Sequence, residues 1–241
     1  MNDLGSACAA CNLSRRDMLE RLGVAAAASL SILQTGCARQ TGKAKPMQAQ
    51  GKLTTHTNDR FYKADGTFDA AAAKEAYYEM MRHYDYPIPP RLRTEDFWVL
   101  DFGLGKFTEV GMGGIFWVNN KEHNYFGHEI YLLPGQMIPE HQHVATDMPA
   151  KMEGWHVRYG WIYIYGEGEP TPGVEARIPE SHKQCAVART ERILKPGEVA
   201  GLAKPCEKHW MRASDEGAIV SEYATYHDMA GLRFSHPDVK L

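Results

Sequence analysis

The sequence predicts an all-β fold, a jelly-roll barrel built as a double-stranded β-helix, with one helix packed on its outside. Three observations predict it. From Phe97 onward, short runs rich in β-branched and aromatic residues alternate with Gly, Pro, Asp and Asn turns, the texture of a sandwich or barrel. No long helical pattern interrupts these runs, which argues against a parallel α/β sheet with crossover helices. Two strand-and-turn units echo each other, Leu132-Leu133-Pro134-Gly135-Gln136 and Ile193-Leu194-Lys195-Pro196-Gly197-Glu198. Each is followed, several residues on, by a histidine able to point inward, and a double-stranded β-helix needs two such units.

The chain begins with a segment that reads as a targeting signal over residues 1–37. Ser14-Arg15-Arg16-Asp17-Met18-Leu19 resembles the twin-arginine export motif and precedes an apolar run, Leu22 to Leu33, too short to span a bilayer. The run ends in Leu33-Gln34-Thr35-Gly36-Cys37, which resembles a lipoprotein processing site, although Gln34 stands where a small aliphatic residue is usual. Lipidation of Cys37, which would tether the protein to a membrane, and cleavage nearby are both open. Either way the expected location is the periplasm or the envelope. Residues 38–58 are polar and read as a flexible linker. The CxxC of Cys8 and Cys11 lies in the signal and reads as incidental. Cys185 and Cys206 remain for the domain, as a pair or as two free thiols.

The remaining chain, residues 59–241, reads as one domain, long enough to bury a large core. Within 67–84, Phe68, Ala72, Ala73, Ala76, Tyr77, Met80, Met81 and Tyr84 share one helical face, with Thr67 able to cap and Pro87, Pro89 and Pro90 following. This is the packing helix. Strands are expected over Phe97–Asp101, Gly114–Asn119, His128–Leu133, Gly160–Tyr165, Glu191–Leu194 and Ala218–Tyr226. The net charge is −3, and residues 1–36 carry three basic and three acidic side chains, so their removal leaves it unchanged. With no basic run, the chain lacks the electrostatic footprint of a nucleic-acid binder.

Chemistry concentrates in a few short segments. Pro139-Glu140-His141-Gln142-His143 puts two histidines at i and i+2, on one face of a strand. In Lys151-Met152-Glu153, the lysine and the glutamate share a face by the same rule. His209 follows the second Pro-Gly turn. Three neutral imidazoles and one carboxylate suit a borderline divalent ion such as Mn, Fe, Co, Ni or Zn. The predicted metal ligands are therefore His141, His143, Glu153 and His209. Glu222 lies in an apolar strand, where an acid needs a reason. Trp155 and Arg158 follow Glu153 closely enough to share its site, with barrel packing as the rival role for Trp155. His123, His128, His182 and His227 receive none.

Together, Leu133-Pro134-Gly135-Gln136, Pro139, His141-Gln142-His143, Lys151-Met152-Glu153 and Arg158 resemble the metal-site segment of the D-lyxose isomerase family of cupins. Upstream, Val99-Leu100-Asp101-Phe102-Gly103 extends the likeness, as do His209-Trp210, Glu222-Tyr223-Ala224-Thr225 and Arg233-Phe234-Ser235 downstream. The resemblance covers about residues 89–239. It implies a cupin barrel and an aldose–ketose isomerase acting on a free monosaccharide, D-lyxose/D-xylulose-like or mannose/fructose. It further implies one divalent ion, commonly manganese, and a homodimer. The family's metal ligands fall on the four residues above, its catalytic lysine on Lys151 and its catalytic glutamate on Glu222. By the same likeness Trp155 and Arg158 are expected to line the sugar site, and Asp228 matches an acidic position expected to bind sugar hydroxyls, with a turn acid as its rival role. This sequence departs from the family in the longer loop, Val144 to Ala150, before the lysine, in Gly154 for an acidic residue and in Tyr159 for glycine. Two other readings compete: a metal-dependent cupin dioxygenase, which uses the same ligands without needing Lys151 or Glu222, and a non-catalytic carbohydrate-binding cupin of the envelope.

Overall fold

In a computed structural model of the chain, the structure describes residues 52–241. The export motif, Cys37 and the linker up to residue 51 lie outside the described residues. Of the expected linker the structure describes residues 52–58, and Leu53 and Asn58 among them touch the domain. Leu53 is buried with the residues of the packing helix, and the Asn58 amide donates to the Gly105 carbonyl at 2.9 Å.

Among the described residues, one α-helix, α1 (Ala70–His83), buries Ala73, Ala76, Tyr77, Met80 and Met81 along a single face. It starts later than the pattern suggests, and its cap is Asp69 rather than Thr67. Phe68 is held in a β-bridge with Tyr62, so the chain stays extended until the Asp69 carboxylate accepts from the amides of Ala71 and Ala72. That carboxylate also meets the positive end of the helix dipole.

Nine strands follow: β1 (Phe97–Leu100), β2 (Met112–Asn120), β3 (Tyr125–Leu132), β4 (Met137–His143), β5 (Glu153–Gly166), β6 (Thr190–Leu194), β7 (Val199–Gly201), β8 (His209–Ala224) and β9 (Leu232–Phe234). Their order is β1-β2-β3-β8-β4-β9, with β5 pairing β6, β7 and β8. The strand β8 organises the barrel. Along one edge it pairs first with β4 and then with β3; along the other it pairs with β5 for nearly its whole length. The sheet therefore curls on itself into a cupin-type double-stranded β-helix.

The sheet separates two apolar clusters. Ile130 and Leu132 point into the barrel with Val157, Ile162, Trp210 and Val220, while Tyr131 and Leu133 point out against α1 with Phe97, Phe107 and Ile115. Because both faces of β3 are covered, its end reads as a continuous apolar run. The sequence signals only the second half of β8, since Asp215-Glu216-Gly217 looks like a turn. It is a bulge instead. Gly217 has φ +70° and faces Gly160 of β5, which has φ +62°; a Cβ on Gly160 would lie 2.0 Å from the Gly217 carbonyl oxygen. Both long strands bend there.

The stretch between β5 and β6 is tied behind β4. The buried Glu140 carboxylate accepts from the amides of Val187 (2.7 Å) and Ala188 (2.6 Å), and the Trp210 indole donates to the Ala188 carbonyl (2.8 Å). Cys185 and Cys206 are free thiols.

Candidate metal centre and active site

Three strand ends bring the four expected ligands together. His141 and His143 occupy the end of β4, Glu153 opens β5 and His209 opens β8. In the antiparallel register His141 lies directly opposite His209. The donor atoms of the four residues all fall within 4.8 Å of one another. The His141 ring approaches the His209 ring to 4.3 Å, and Glu153 Oε1 lies 2.5 Å from His209 Nε2 and 3.5 Å from His143 Nε2.

The tautomers are set from behind. His141 Nδ1–H donates to the Pro139 carbonyl and His209 Nδ1–H to the Glu207 carbonyl, each at 2.8 Å, which turns each Nε2 toward the centre. Both ring nitrogens of His143 are buried and make no hydrogen bond, and His209 Nε2 faces only the Glu153 carboxylate. Buried ring nitrogens without partners are costly unless something occupies the space between them. Three imidazoles and a carboxylate aimed at one point fit a divalent cation.

The charges of His141 and Glu153 agree with that fit. Burial, reinforced by the neighbouring His209 and His143, holds His141 well below the usual histidine range, so it is neutral and ready to ligate. Burial pushes Glu153 upward, but Lys151 and His209 outweigh it and hold the carboxyl well below its ordinary value. For His209, burial pulls downward and Glu153 overcomes it, leaving the imidazole raised.

Beside the four ligands lies a second cluster. Lys151 Nζ donates to Glu153 Oε2 at 2.6 Å and to Glu222 Oε1, and it sits 4.7 Å from the centre of the Phe126 ring. Burial lowers its pKa, but the two carboxylates outweigh burial and raise it, so Lys151 is an ammonium. Glu222 is buried on β8, directly opposite His128 on β3 and Trp155 on β5. The His128 Nδ1–H donates to Glu222 Oε2 at 3.1 Å. Both oxygens of the glutamate are thus held, one by a lysine and one by a histidine.

Both clusters line one cavity of about 310 Å³ in the barrel interior. Trp155 lies in its wall, 5.3 Å from the His209 ring. Arg158 and Asp228 are not part of it. On β5 the inward residues are Glu153, Trp155 and Val157, so strand alternation turns Arg158 outward, where it is exposed. Asp228 is a turn acid: its carboxylate caps Ala230 N and accepts from the Thr146 hydroxyl at 2.5 Å, fastening the long loop after β4. Two histidines given no role in the sequence do belong to the cavity, His128 and His227. Parity could have flagged His128, since it shares a face with Ile130 and Leu132. His227 follows the end of β8, where no periodicity guides the reader.

Several known proteins are similar to this chain. The D-lyxose/D-mannose isomerase of Thermosediminibacter oceani is 36% identical over 168 residues, 69% of this chain and 91% of that protein. The D-lyxose ketol-isomerase of Cohnella laeviribosi is 36% identical over 64% of this chain and 82% of its own length. Among solved structures, the L-ribose isomerase of Cellulomonas parahominis with L-ribose superposes with a TM-score of 0.58 at 14% identity, covering 76% of this chain and 96% of that one. The L-ribose isomerase of Acinetobacter sp. DL28 gives 0.57 at 14% identity, over 75% and 95%. No protein-family model matches the chain.

Proposed function

The chain belongs to the D-lyxose isomerase family, and from that premise we propose that it is a metal-dependent aldose–ketose isomerase acting on a free monosaccharide of the D-lyxose or D-mannose kind. The observation that carries the reading is the Lys151–Glu222 pair, buried beside four convergent metal donors. A dioxygenase using the same ligands would leave this pair unexplained. Among the described residues, no cluster of arginines or lysines lines the cavity as a phosphate clamp would, so a sugar phosphate is disfavoured.

When bound by His141, His143, Glu153 and His209, a divalent ion, manganese by likeness to the family, polarises the carbonyl and adjacent hydroxyl of the open-chain sugar. The chain's own groups move the protons. The Glu222 carboxylate removes the proton from C2, and its electron pair forms the C1=C2 bond. The Lys151 ammonium gives a proton to O1, yielding an enediol. Glu222 then returns its proton to C1, while Lys151 takes the proton from O2 and the C2 carbonyl forms. Both residues end as they began, and no oxidant or reductant is needed. Burial strengthens each of these contacts by excluding water.

The test is to load the protein with manganese and offer D-lyxose and D-mannose. We expect ketose from wild type and a loss of about 10²–10⁴ in kcat for Lys151→Ala and Glu222→Gln. Full activity in either variant defeats the assignment of roles, and absence of any ketose defeats the isomerase reading. We further propose export by the twin-arginine route, on the strength of the Ser14–Leu19 motif. Arg15→Lys together with Arg16→Lys should retain the protein in the cytoplasm, whereas an unchanged distribution refutes that route.

A further inference from the structure

We propose that the preferred substrate is polar at its reacting end and apolar at its far end: an aldose or ketose whose terminal carbon is a methyl group, such as a 6-deoxyhexose. This deepens the isomerase reading and rests on it. The cavity wall carries eight polar side chains apart from indoles: His128, His141, His143, Lys151, Glu153, His209, Glu222 and His227. Seven are already engaged. Four form the metal centre, Lys151 and Glu222 form the proton-transfer pair, and His128 donates Nδ1–H to Glu222 while its Nε2 is buried against Gly114. His227 alone is left for a third hydroxyl.

The rest of the wall is apolar, with Trp98, Leu100, Met112, Ile130, Ile138 and Met211 among its residues. Among the described residues, no Ser, Thr, Asn, Gln, Asp, Arg or Tyr side chain lines the cavity. The Trp210 indole is spent on the Ala188 carbonyl, which leaves the indoles of Trp98 and Trp155 as the remaining donors. Arg158 and Asp228, expected to line the sugar site and to bind hydroxyls, are turned away or committed to a turn. A fully hydroxylated sugar would therefore bury its distal hydroxyls against hydrocarbon without partners, which is unfavourable, while a methyl group there would gain contact.

The test compares kcat/KM for D-mannose and 6-deoxy-D-mannose, which close the same pyranose ring and differ only at C6, with D-lyxose as a control. We expect 6-deoxy-D-mannose to be preferred by about 10- to 100-fold. Quenching of tryptophan fluorescence by the unreactive D-mannitol and its 1-deoxy derivative gives the same comparison as binding constants, with the deoxy compound expected to bind more tightly. Conversion of both hexoses with equal kcat/KM, or with D-mannose preferred, overturns the inference and leaves the isomerase reading standing. Failure of all three sugars to isomerise overturns the isomerase reading and this inference with it.

Discussion

Glu222 shows how single residues set the chemistry of this site. Its two oxygens are held by different partners, Lys151 on one and His128 on the other, so the carboxylate cannot rotate away from the cavity. His128 itself is packed among Trp98, Phe116 and Phe126, with ring distances of 5.4, 5.0 and 5.6 Å. It therefore acts as a positioning residue. Replacing it as His128→Phe keeps the packing and removes the hydrogen bond. Steady-state kinetics should show kcat reduced about 10²-fold, the cost of a misplaced catalytic group, with KM little changed. A variant with normal kcat would show that Glu222 needs no such support. Gly114 belongs to the same arrangement, because a Cβ there would lie 2.4 Å from His128 Nε2.

The elements position these residues, and they differ in how far the sequence reveals them. Strand parity is local, so His141 with His143 and Lys151 with Glu153 were legible, as were the Pro-Gly turns that precede the histidines. Parity alone also places Arg158 outside, since Glu153, Trp155 and Val157 face in. What stayed hidden depends on distant contacts. Thr67 and Asp69 are both good caps, and the choice falls to Asp69 only because Tyr62 bridges Phe68. The length of β8 was illegible because a glycine bulge and a turn have the same composition. That bulge makes a sharp prediction: Gly160→Ala should destabilise the domain by about 2–4 kcal/mol, from left-handed strain and the clash with the Gly217 carbonyl. Chemical denaturation measures it, and a change near zero would mean the two strands can part at no cost. The segment between β5 and β6 offers another. His182 is buried there near His236, and burial, with His236 and Lys106 adding, lowers its pKa to about 4. A histidine kept neutral when folded protonates more readily when unfolded, so stability falls as pH drops below the unfolded value of 6.5 toward 4. Between pH 7 and pH 5 the loss should be about 2 kcal/mol, and His182→Gln should flatten that slope. An unchanged slope would place the titration elsewhere.

At the scale of the whole molecule, the proposed metal centre would also be a fastening. Its ligands come from β4, β5 and β8, three strands that only the closed barrel brings together, so a bound ion stabilises the folded state alone. At a metal concentration a thousandfold above Kd the gain should be about 4 kcal/mol, and thermal unfolding with and without a chelator should differ by about 10 °C. His143→Ala should abolish that difference; persistence of the full shift in the variant would place the ion outside this quartet. Proton transfer inside this barrel is measured most directly by following a D-lyxose or D-mannose reaction in heavy water by proton NMR. If Glu222 exchanges its proton with solvent between steps, the ketose carries deuterium at C1, and Glu222→Gln forms no labelled product. Ketose formed by wild type together with equally labelled ketose formed by Glu222→Gln would contradict the account.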